Sequence, residues 1–214
     1  MTLSERYHRD GHVGLPQLFV PEVLLAFYRM MQSDLQAAGR PLQSFTARGP
    51  LLRQPAIEVY AFQYAPMLTF LWGLTPRVAE VVGRELLPTY AYFRAYQQGD
   101  VCRVHSDRQA CEHSLSLTIA YGDERPWALS VATERTEVPQ PQVSEDFGAQ
   151  PYVSVAMQPG DGVLYQGTHH RHGRLEANPN SWSAHLFLHW VEKDGRYRDQ
   201  AFDRPAQARA AQGR

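Results

Sequence analysis

Residues 113–121 read HSLSLTIAY, and their alternation of apolar and polar side chains is typical of a β-strand. Leu115, Leu117 and Ile119 would share one face of this strand, with the intervening Ser and Thr side chains on the other. A second alternating stretch covers residues 90–96. Shorter strand-like stretches are found at residues 127–131, 152–155, 162–165 and 183–191. Many short strands separated by turn residues predict a β-sandwich or a β-barrel.

The first part of the chain has a different pattern, with helical spacing of its apolar residues. A first helix is expected to begin at Pro21 and to end near Gly39, because proline suits a first helical turn and glycine a helix end. A second helical region covers residues 64–73 and 76–87, with Pro76 restarting it and Pro88 ending it. A loop and a short strand are expected over residues 1–20, and another strand over residues 57–62. These helices are predicted to pack against a sheet.

Composition excludes several classes of function. The chain has 214 residues, a net charge of −1 and a pI near 6.8, so a nucleic-acid partner is not expected. Two cysteines, Cys102 and Cys111, are too few for a disulfide framework. The N-terminal residues lack an apolar signal core, and no apolar segment is long enough to suggest a membrane span. We expect one soluble, cytoplasmic domain.

Just upstream of residues 113–121, the stretch RVHSD at residues 103–107 contains the candidate chemistry. His105 and Asp107 are two apart, so on a strand both side chains would project from one face. With one distant histidine they would form a facial triad of two histidines and one carboxylate, which leaves open positions on a ferrous ion. The H-x-D pattern is weak alone. His105 would otherwise be an ordinary strand histidine, and Asp107 a turn carboxylate.

The surrounding motifs strengthen this interpretation. Tyr96-Gln97-Gln98-Gly99 precedes H-x-D, Pro159-Gly160-Asp161 begins a later strand, and a histidine-rich turn follows. This order resembles the iron(II)/2-oxoglutarate-dependent dioxygenases of the prolyl-4-hydroxylase-like branch, over roughly residues 90–203. The resemblance implies a mostly β double-stranded β-helix, or jelly roll. Residues 1–88 would be its helical N-terminal support, 89–203 the jelly-roll core and 204–214 a tail, with the helices on one outer face.

The third metal ligand is expected in the turn Thr168-His169-His170-Arg171-His172. We prefer His172, because the resemblance places the ligand several residues past the Gly-Asp strand and follows it with x-Arg. His170 is the alternative, and His169 is interpreted as a solvated loop residue. A zinc site would more usually recruit cysteine or a closed set of four ligands. An aspartate at position 107 favours hydroxylation or desaturation over halogenation, because the related halogenases have a small residue there.

The residue that would anchor the distal carboxylate of 2-oxoglutarate departs from the family pattern. The family usually has Arg or Lys on the final strand, about ten residues after the second histidine, and residues 178–190 contain neither. Tyr96 and Arg174 are the first candidates for binding this cosubstrate, followed by His185 and His189. Their alternatives are the cations on neighbouring strands, Arg94 and Arg103.

Two further residues, Glu112 and Trp127, are candidate substrate contacts. Glu112 has the parity of the polar face of residues 113–121, although a salt bridge or another surface role would also explain it; Trp127 would otherwise be sheet packing. The loop over residues 133–150 is interpreted either as a flexible insertion or as a lid.

The resemblance implies an enzyme that uses Fe(II), 2-oxoglutarate and O2 to hydroxylate an aliphatic carbon of a small molecule, such as a free amino acid or a specialised metabolite. The alternatives are a peptidyl or protein hydroxylase, a cupin-type isomerase or hydrolase that does not use 2-oxoglutarate, and a non-catalytic ligand-binding module. The missing cation on the final strand keeps the cupin-type alternative open.

Overall fold

A computed structural model describes residues 1–140 and 142–204 of the chain. The expected tail therefore lies, from residue 205 onward, outside the described residues. The helices are α1 (Leu3–Asp10), α2 (Pro21–Ala37) and α3 (Met67–Val82). The strands are β1 (His12–Leu15), β2 (Thr46–Ala47), β3 (Ala56–Tyr60), β4 (Leu86–Gln97), β5 (Cys102–His105), β6 (His113–Tyr121), β7 (Leu129–Ala132), β8 (Tyr152–Val155), β9 (Gly162–Tyr165), β10 (His172–Arg174) and β11 (Trp182–Glu192). Short 3₁₀ helices cover Leu42–Phe45, Gln109–Cys111 and Arg198–Asp203.

The strands form two antiparallel sheets. The larger sheet has the order β1-β9-β6-β11-β4-β3-β2, and the smaller has the order β5-β10-β7-β8. Consecutive strands of the chain alternate between the sheets from β4 to β7, and neighbours within a sheet are joined by long connections. This arrangement is a jelly roll, and the predicted fold class is confirmed.

The three helices cover the outer face of the larger sheet. Their buried residues, among them Leu24, Met31 and Leu71, form one hydrophobic cluster with Phe93 of β4 and Leu186 of β11. Because side chains alternate along a strand, the apolar half of each central strand is buried against these helices. The expectation that the early helices support one outer face is confirmed.

Three local predictions were wrong. Residues 3–10 form helix α1 rather than a loop, and Thr2 and Glu5 complete a capping box at its start. Helix α3 runs through Pro76 without a break, although a proline cannot donate the usual backbone hydrogen bond. Pro88 belongs to β4, where it lies opposite Trp190 at an irregularity in the pairing with β11.

The face of the larger sheet that looks toward the smaller sheet is unusually polar for a sandwich interior. It carries buried side chains with hydrogen-bonding or charged groups: Arg94, Ser114, Ser116, Thr118, His185 and His189. Buried polar groups are costly unless they are paired, so an interior of this kind marks a candidate site.

The connection between β7 and β8, residues 133–150, packs against the rest of the fold in its described part. Ser144 pairs with Val104 through two backbone hydrogen bonds of 2.9 Å, and Thr136 N–H donates to the carbonyl oxygen of His169 at 2.8 Å. The segment therefore lies along β5 and the histidine-rich turn. None of the helices in the described part of the chain could span a membrane.

Candidate metal centre and cosubstrate pocket

Three side chains form the candidate metal centre, where β5 ends and β10 begins. His105 is the last residue of β5 and His172 the first of β10, and the two are paired across the strands. The carboxylate of Asp107 lies between them, with Oδ1 3.5 Å from His105 Nε2 and Oδ2 3.4 Å from His172 Nε2. One donor atom of each residue lies within 4.8 Å of the others. Two imidazoles and one carboxylate are the donor set of a facial iron site.

Hydrogen bonds to the backbone orient both imidazoles. His105 Nδ1 lies 2.7 Å from the carbonyl oxygen of Arg103, and His172 Nδ1 lies 3.0 Å from that of His170. A carbonyl oxygen only accepts, so each Nδ1 carries the proton and donates it. Each Nε2 is therefore left with a lone pair directed toward Asp107, as a metal-ligating histidine requires.

The environment also favours the protonation states that metal binding needs. Burial lowers the pKa of His105, and the neighbouring His172 lowers that pKa further. Burial by itself would raise the pKa of Asp107, but the two imidazoles outweigh it and hold this pKa well below its ordinary value. At neutral pH Asp107 is therefore ionised and His105 is neutral.

Gly167 provides the space that the Asp107 carboxylate occupies. The backbone N–H of Asp107 donates to the carbonyl oxygen of Gly167 at 2.9 Å. A Cβ atom at position 167 would collide with Asp107 Oδ2 and would lie 2.7 Å from Ser114 Oγ. The metal centre therefore depends on a residue that contributes no ligand atom.

Arg174 places a buried cation in the same cavity. It follows His172 by two residues on β10, so both side chains project from one face and line the cavity. Arg174 is 1% exposed, and its guanidinium donates to the carbonyl oxygen of Trp127 at 2.6 Å. Its second terminal nitrogen lies 3.3 Å from Ser116 Oγ and 3.3 Å from His185 Nδ1. All these acceptors are neutral, and no carboxylate among the described residues pairs with Arg174.

The other arginines considered from the sequence have partners. Arg94 lines the cavity, but its Nε donates to Glu58 Oε1 at 2.8 Å and a terminal nitrogen donates to Tyr96 OH at 3.2 Å. Arg103 points away, toward Glu145 and two backbone carbonyl oxygens. Arg174 is therefore the unpaired cation of the cavity, within the described part of the chain.

Tyr96 lines the cavity beside these arginines. It is 1% exposed, and burial raises its pKa to about 12, so its hydroxyl stays protonated at neutral pH. Its ring packs edge-on against Trp127 at 4.9 Å between centroids. The sequence-based choice of Tyr96 and Arg174 thus falls on two residues that the fold brings to one cavity.

His185 and His189 are both buried in the interior but do not line the cavity. Burial, and then Arg174, lowers the pKa of His185 well below its ordinary value. Burial lowers the pKa of His189 to about 4. His189 Nδ1 bonds to Ser114 Oγ at 2.9 Å. Both imidazoles are neutral at pH 7, so neither provides a cationic anchor.

The two predicted substrate contacts lie elsewhere than expected. Glu112 has helical backbone angles (φ −51°, ψ −45°) and precedes β6, so the strand parity used to place it does not apply. Its carboxylate accepts a hydrogen bond from the backbone of Glu192 at 2.8 Å, outside the cavity. Trp127 is 1% exposed and lies beneath the guanidinium of Arg174, 4.7 Å from its Cζ, so it supports a cavity residue. Neither side chain lines the cavity, and the roles of both residues in substrate binding stay predictions.

The histidine-rich turn brings only one of its three histidines to Asp107. His170 Nδ1 bonds to the carbonyl oxygen of Ala132 at 2.8 Å, and its ring packs against Gly11. His169 Nδ1 bonds to the carbonyl oxygen of Thr136 at 2.8 Å. His169 is 5% exposed, so the expectation of a solvated loop residue was wrong.

Further residues line the cavity, and of these sequence reasoning missed Tyr165, Cys102 and Phe187. The Tyr165 ring packs against His172 at 4.6 Å between centroids, and Cys102 lies opposite Arg174 across the strand pair. Phe187 and Tyr92 form an aromatic wall, stacked at 4.8 Å. The parity of Tyr92 with Tyr96, and of Phe187 with His185, was the available signal. This even spacing shows that the side chains share one face of a strand, but it does not show which of them reach the metal ligands.

No protein-family model matches the chain, and no curated protein sequence does. Solved structures do match. The 2-oxoglutarate-dependent carbocyclase SnoK from nogalamycin biosynthesis is 16% identical and has a TM-score of 0.66, over 90% of this chain and 83% of SnoK. EctD from S. alaskensis is 17% identical with a TM-score of 0.61, over 90% of this chain and 77% of EctD. A Pseudomonas putida prolyl-4-hydroxylase is 13% identical with a TM-score of 0.58, over 90% of this chain and 98% of the hydroxylase. This chain therefore has the fold of the iron(II)/2-oxoglutarate-dependent oxygenases.

Proposed function

We propose that the protein is an Fe(II)/2-oxoglutarate-dependent oxygenase that hydroxylates an aliphatic carbon of a small molecule. The observation that carries this proposal is the buried, unpaired guanidinium of Arg174 in the cavity that also holds the His105–Asp107–His172 donor set. A buried cation without an anionic partner is costly, and a carboxylate ligand would relieve that cost. A metal site alone would not call for such a cation.

The residues present fit both groups. The donor set suits ferrous iron, because imidazole and carboxylate ligands on one face leave positions for other ligands. Arg174 suits the distal carboxylate of 2-oxoglutarate, because guanidinium donates in a fork that matches a carboxylate. Tyr96 OH is a second donor on the cavity wall. The cosubstrate anchor would therefore come from β10, two residues after a metal ligand, rather than from the final strand.

When bound, iron and 2-oxoglutarate supply the oxidising chemistry: 2-oxoglutarate and O2 are converted to succinate and carbon dioxide while a substrate C–H bond is oxidised. The protein itself orients the metal ligands and Arg174, and it shields the cavity. The carbonyl oxygens of Arg103 and His170 fix the tautomers of the two ligand histidines. Trp127 fixes the position of Arg174. The wall of Tyr92 and Phe187 limits the space for water in the cavity.

Binding requires a change in the cavity. The free space between the lining side chains measures about 20 Å³, which is room for one water molecule. A five-carbon acid would therefore have to displace side chains of the wall. The aromatic members of that wall, Tyr92 and Phe187, are the residues we expect to move.

Two proteins with similar structures support a small-molecule substrate. SnoK is a carbocyclase from nogalamycin biosynthesis, and EctD has been solved with 2-oxoglutarate and 5-hydroxyectoine. A peptide substrate is the alternative, as in the similar prolyl-4-hydroxylase. We also propose that the chain acts as one domain in the cytoplasm, since Cys102 and Cys111 are both free thiols, as in reducing compartments.

The test is anaerobic reconstitution with ferrous iron followed by addition of 2-oxoglutarate. A weak visible charge-transfer band that appears only when both are present would support the proposal, and admission of O2 should then yield succinate. Iron binding without any 2-oxoglutarate band or succinate would overturn it in favour of a cupin-type metal enzyme. Replacing Asp107 by alanine provides the control, since it removes a ligand from the donor set.

A further inference from the structure

A second cluster of potential metal ligands lies outside the cavity, where the start of β6 meets the end of β11. It consists of Glu112, His113 and Glu192, and we name it the β6–β11 cluster. One donor atom of each residue lies within 4.8 Å of the others. It shares no residue with the His105–Asp107–His172 centre, and the proposed reaction does not use it.

The buried imidazole of His113 points into this cluster. His113 is 4% exposed, and its Nε2 has no hydrogen-bond partner among the described residues. The nearest carboxylate oxygen, Glu192 Oε1, is 3.7 Å away, which is too long for a hydrogen bond. A buried nitrogen left without a partner is costly, so this atom calls for an explanation.

The other ring nitrogen of His113, Nδ1, makes a hydrogen bond of the kind that orients most metal-ligating histidines. Nδ1 lies 2.6 Å from the hydroxyl of Tyr7, which is fully buried in α1. When Nδ1 donates to the Tyr7 oxygen, Nε2 carries a lone pair directed at the two carboxylates. In the opposite tautomer the Tyr7 hydroxyl donates to Nδ1, and the Nε2–H bond has Glu192 Oε1 3.7 Å away, which is beyond hydrogen-bond distance. The first arrangement matches a histidine that binds a metal.

The two carboxylates complete a charge-balanced set. The backbone N–H of Glu192 donates to Glu112 Oε2 at 2.8 Å, which fixes the Glu112 side chain beside Glu192. Burial raises the pKa of Glu112, although the hydrogen bond from the Glu192 backbone acts in the opposite direction, and His113 lowers the pKa of Glu192. The guanidinium closest to Glu192 in the described part of the chain is that of the exposed Arg84, with its Nε 4.0 Å away. Two carboxylates and one imidazole nitrogen therefore suit a divalent ion.

We propose that the β6–β11 cluster binds a divalent transition-metal ion through His113 Nε2 and one oxygen from each of Glu112 and Glu192. Imidazole with carboxylate ligands is a donor set that zinc, iron and nickel accept. The ion connects the first residue of β6 to the last residue of β11. Through the hydrogen bond between Tyr7 and His113 it also connects helix α1 to the sheet. Its role is structural, and it is independent of the proposed oxygenase reaction.

The test counts Zn²⁺ bound per chain, by equilibrium dialysis followed by elemental analysis. We expect two ions in the unmodified protein and one in the double variant His105→Ala/His172→Ala, which loses the centre at Asp107. Adding Glu192→Gln to the double variant should remove the remaining ion or weaken its binding roughly tenfold or more. Glu85→Gln is the matched control, because Glu85 is an exposed neighbour that pairs with Lys193 outside the cluster.

A second measurement separates loss of the site from loss of the fold. Zn²⁺ should raise the melting temperature of the double variant and of its Glu85→Gln derivative, but not that of its Glu192→Gln or Glu112→Gln derivative. Circular dichroism of each variant without metal shows whether it is folded. No zinc bound to a folded double variant, or an undiminished ion in both cluster variants, would overturn the proposal.

Discussion

Arg174 lies over the ring of Trp127 and also donates a 2.6 Å hydrogen bond to the carbonyl oxygen of that residue, with Cζ 4.7 Å from the ring centroid. The indole is itself fixed, since its Nε1 donates to the carbonyl oxygen of Glu176 at 2.8 Å. One residue thus holds the cation from both its backbone and its side chain. The guanidinium is pre-positioned, so less entropy is lost when a carboxylate binds it.

The first prediction concerns this anchor. Arg174→Gln should raise the dissociation constant of 2-oxoglutarate roughly thirtyfold or more, because losing one partner of a buried charge pair costs about 2–5 kcal/mol. Isothermal titration of the anaerobic Fe(II) protein measures this. Arg103→Gln is the control, since Arg103 points away from the cavity. Unchanged affinity in Arg174→Gln, with loss in Arg94→Gln, would transfer the role to Arg94.

The second prediction distinguishes the histidines of the turn. His172→Ala should abolish turnover and weaken iron binding, because it removes one of three ligands. His170→Ala should retain iron binding, since its Nδ1 is bonded to the carbonyl oxygen of Ala132 and it lies outside the donor set. Iron content after gel filtration and succinate formation provide the two readouts. The reverse result would assign the ligand to His170.

The third prediction tests the space beside the carboxylate. Gly167→Ala should lower iron affinity roughly tenfold or more although no ligand is changed, because the added methyl group would clash with Asp107 Oδ2. Gly49→Ala is the matched control, since a Cβ there has no neighbour within 4 Å. Iron titrations of the two folded variants make the comparison. Equal affinities would mean that the carboxylate can shift without cost.

The fourth prediction follows from the buried histidine beside Arg174. The pKa of His185 is well below 6.5 in the folded protein, so below about pH 6.5 the unfolded chain takes up a proton that the folded chain does not. The free energy of unfolding should therefore fall as the pH drops below that value. Urea denaturation between pH 7 and pH 5 measures the slope, and it should be smaller in His185→Gln. An identical slope would show that other groups account for the loss.

The alternation of apolar and polar residues predicted the central strands well, because the two faces of these strands have different neighbours. β6 coincides with the predicted strand, since its apolar half meets the helices and its polar half faces the interior between the two sheets. Glu112 shows the limit of this reasoning. The alternation of faces along a strand does not extend to residues where the backbone leaves the strand conformation. Only the structure gives the helical φ and ψ of Glu112.

Helix α1 and helix α3 differ from the predictions for reasons of context. Helix α1 buries one residue, Tyr7, so it lacks the apolar repeat that sequence analysis relies on, although its capping box was visible. In α3 the burial of Leu74 and Val78 on either side of Pro76 keeps the helix continuous. Tertiary packing there outweighs the helix-breaking tendency of proline.

The sequence provided several candidates for the residue that anchors the distal carboxylate of 2-oxoglutarate, but it could not decide among them. Arg174 depends on Trp127, which lies 47 positions earlier in the chain. Arg94 is excluded as the free cation only by Glu58, which is 36 positions away. Such long-range pairings decide which cation is left without a partner, and the sequence contains no local signal for them.

The larger sheet separates two demands that usually conflict in a small enzyme. Its outer face, packed on the helices through residues such as Phe93 and Leu186, contributes most of the apolar burial. Its inner face, with Ser116 and His185, contributes buried polar groups. Substitutions on the inner face can therefore alter which molecules the cavity accepts while the helix-packed face preserves folding. Directed evolution toward new substrates would tolerate more changes there than in a protein whose core and active site share the same side chains.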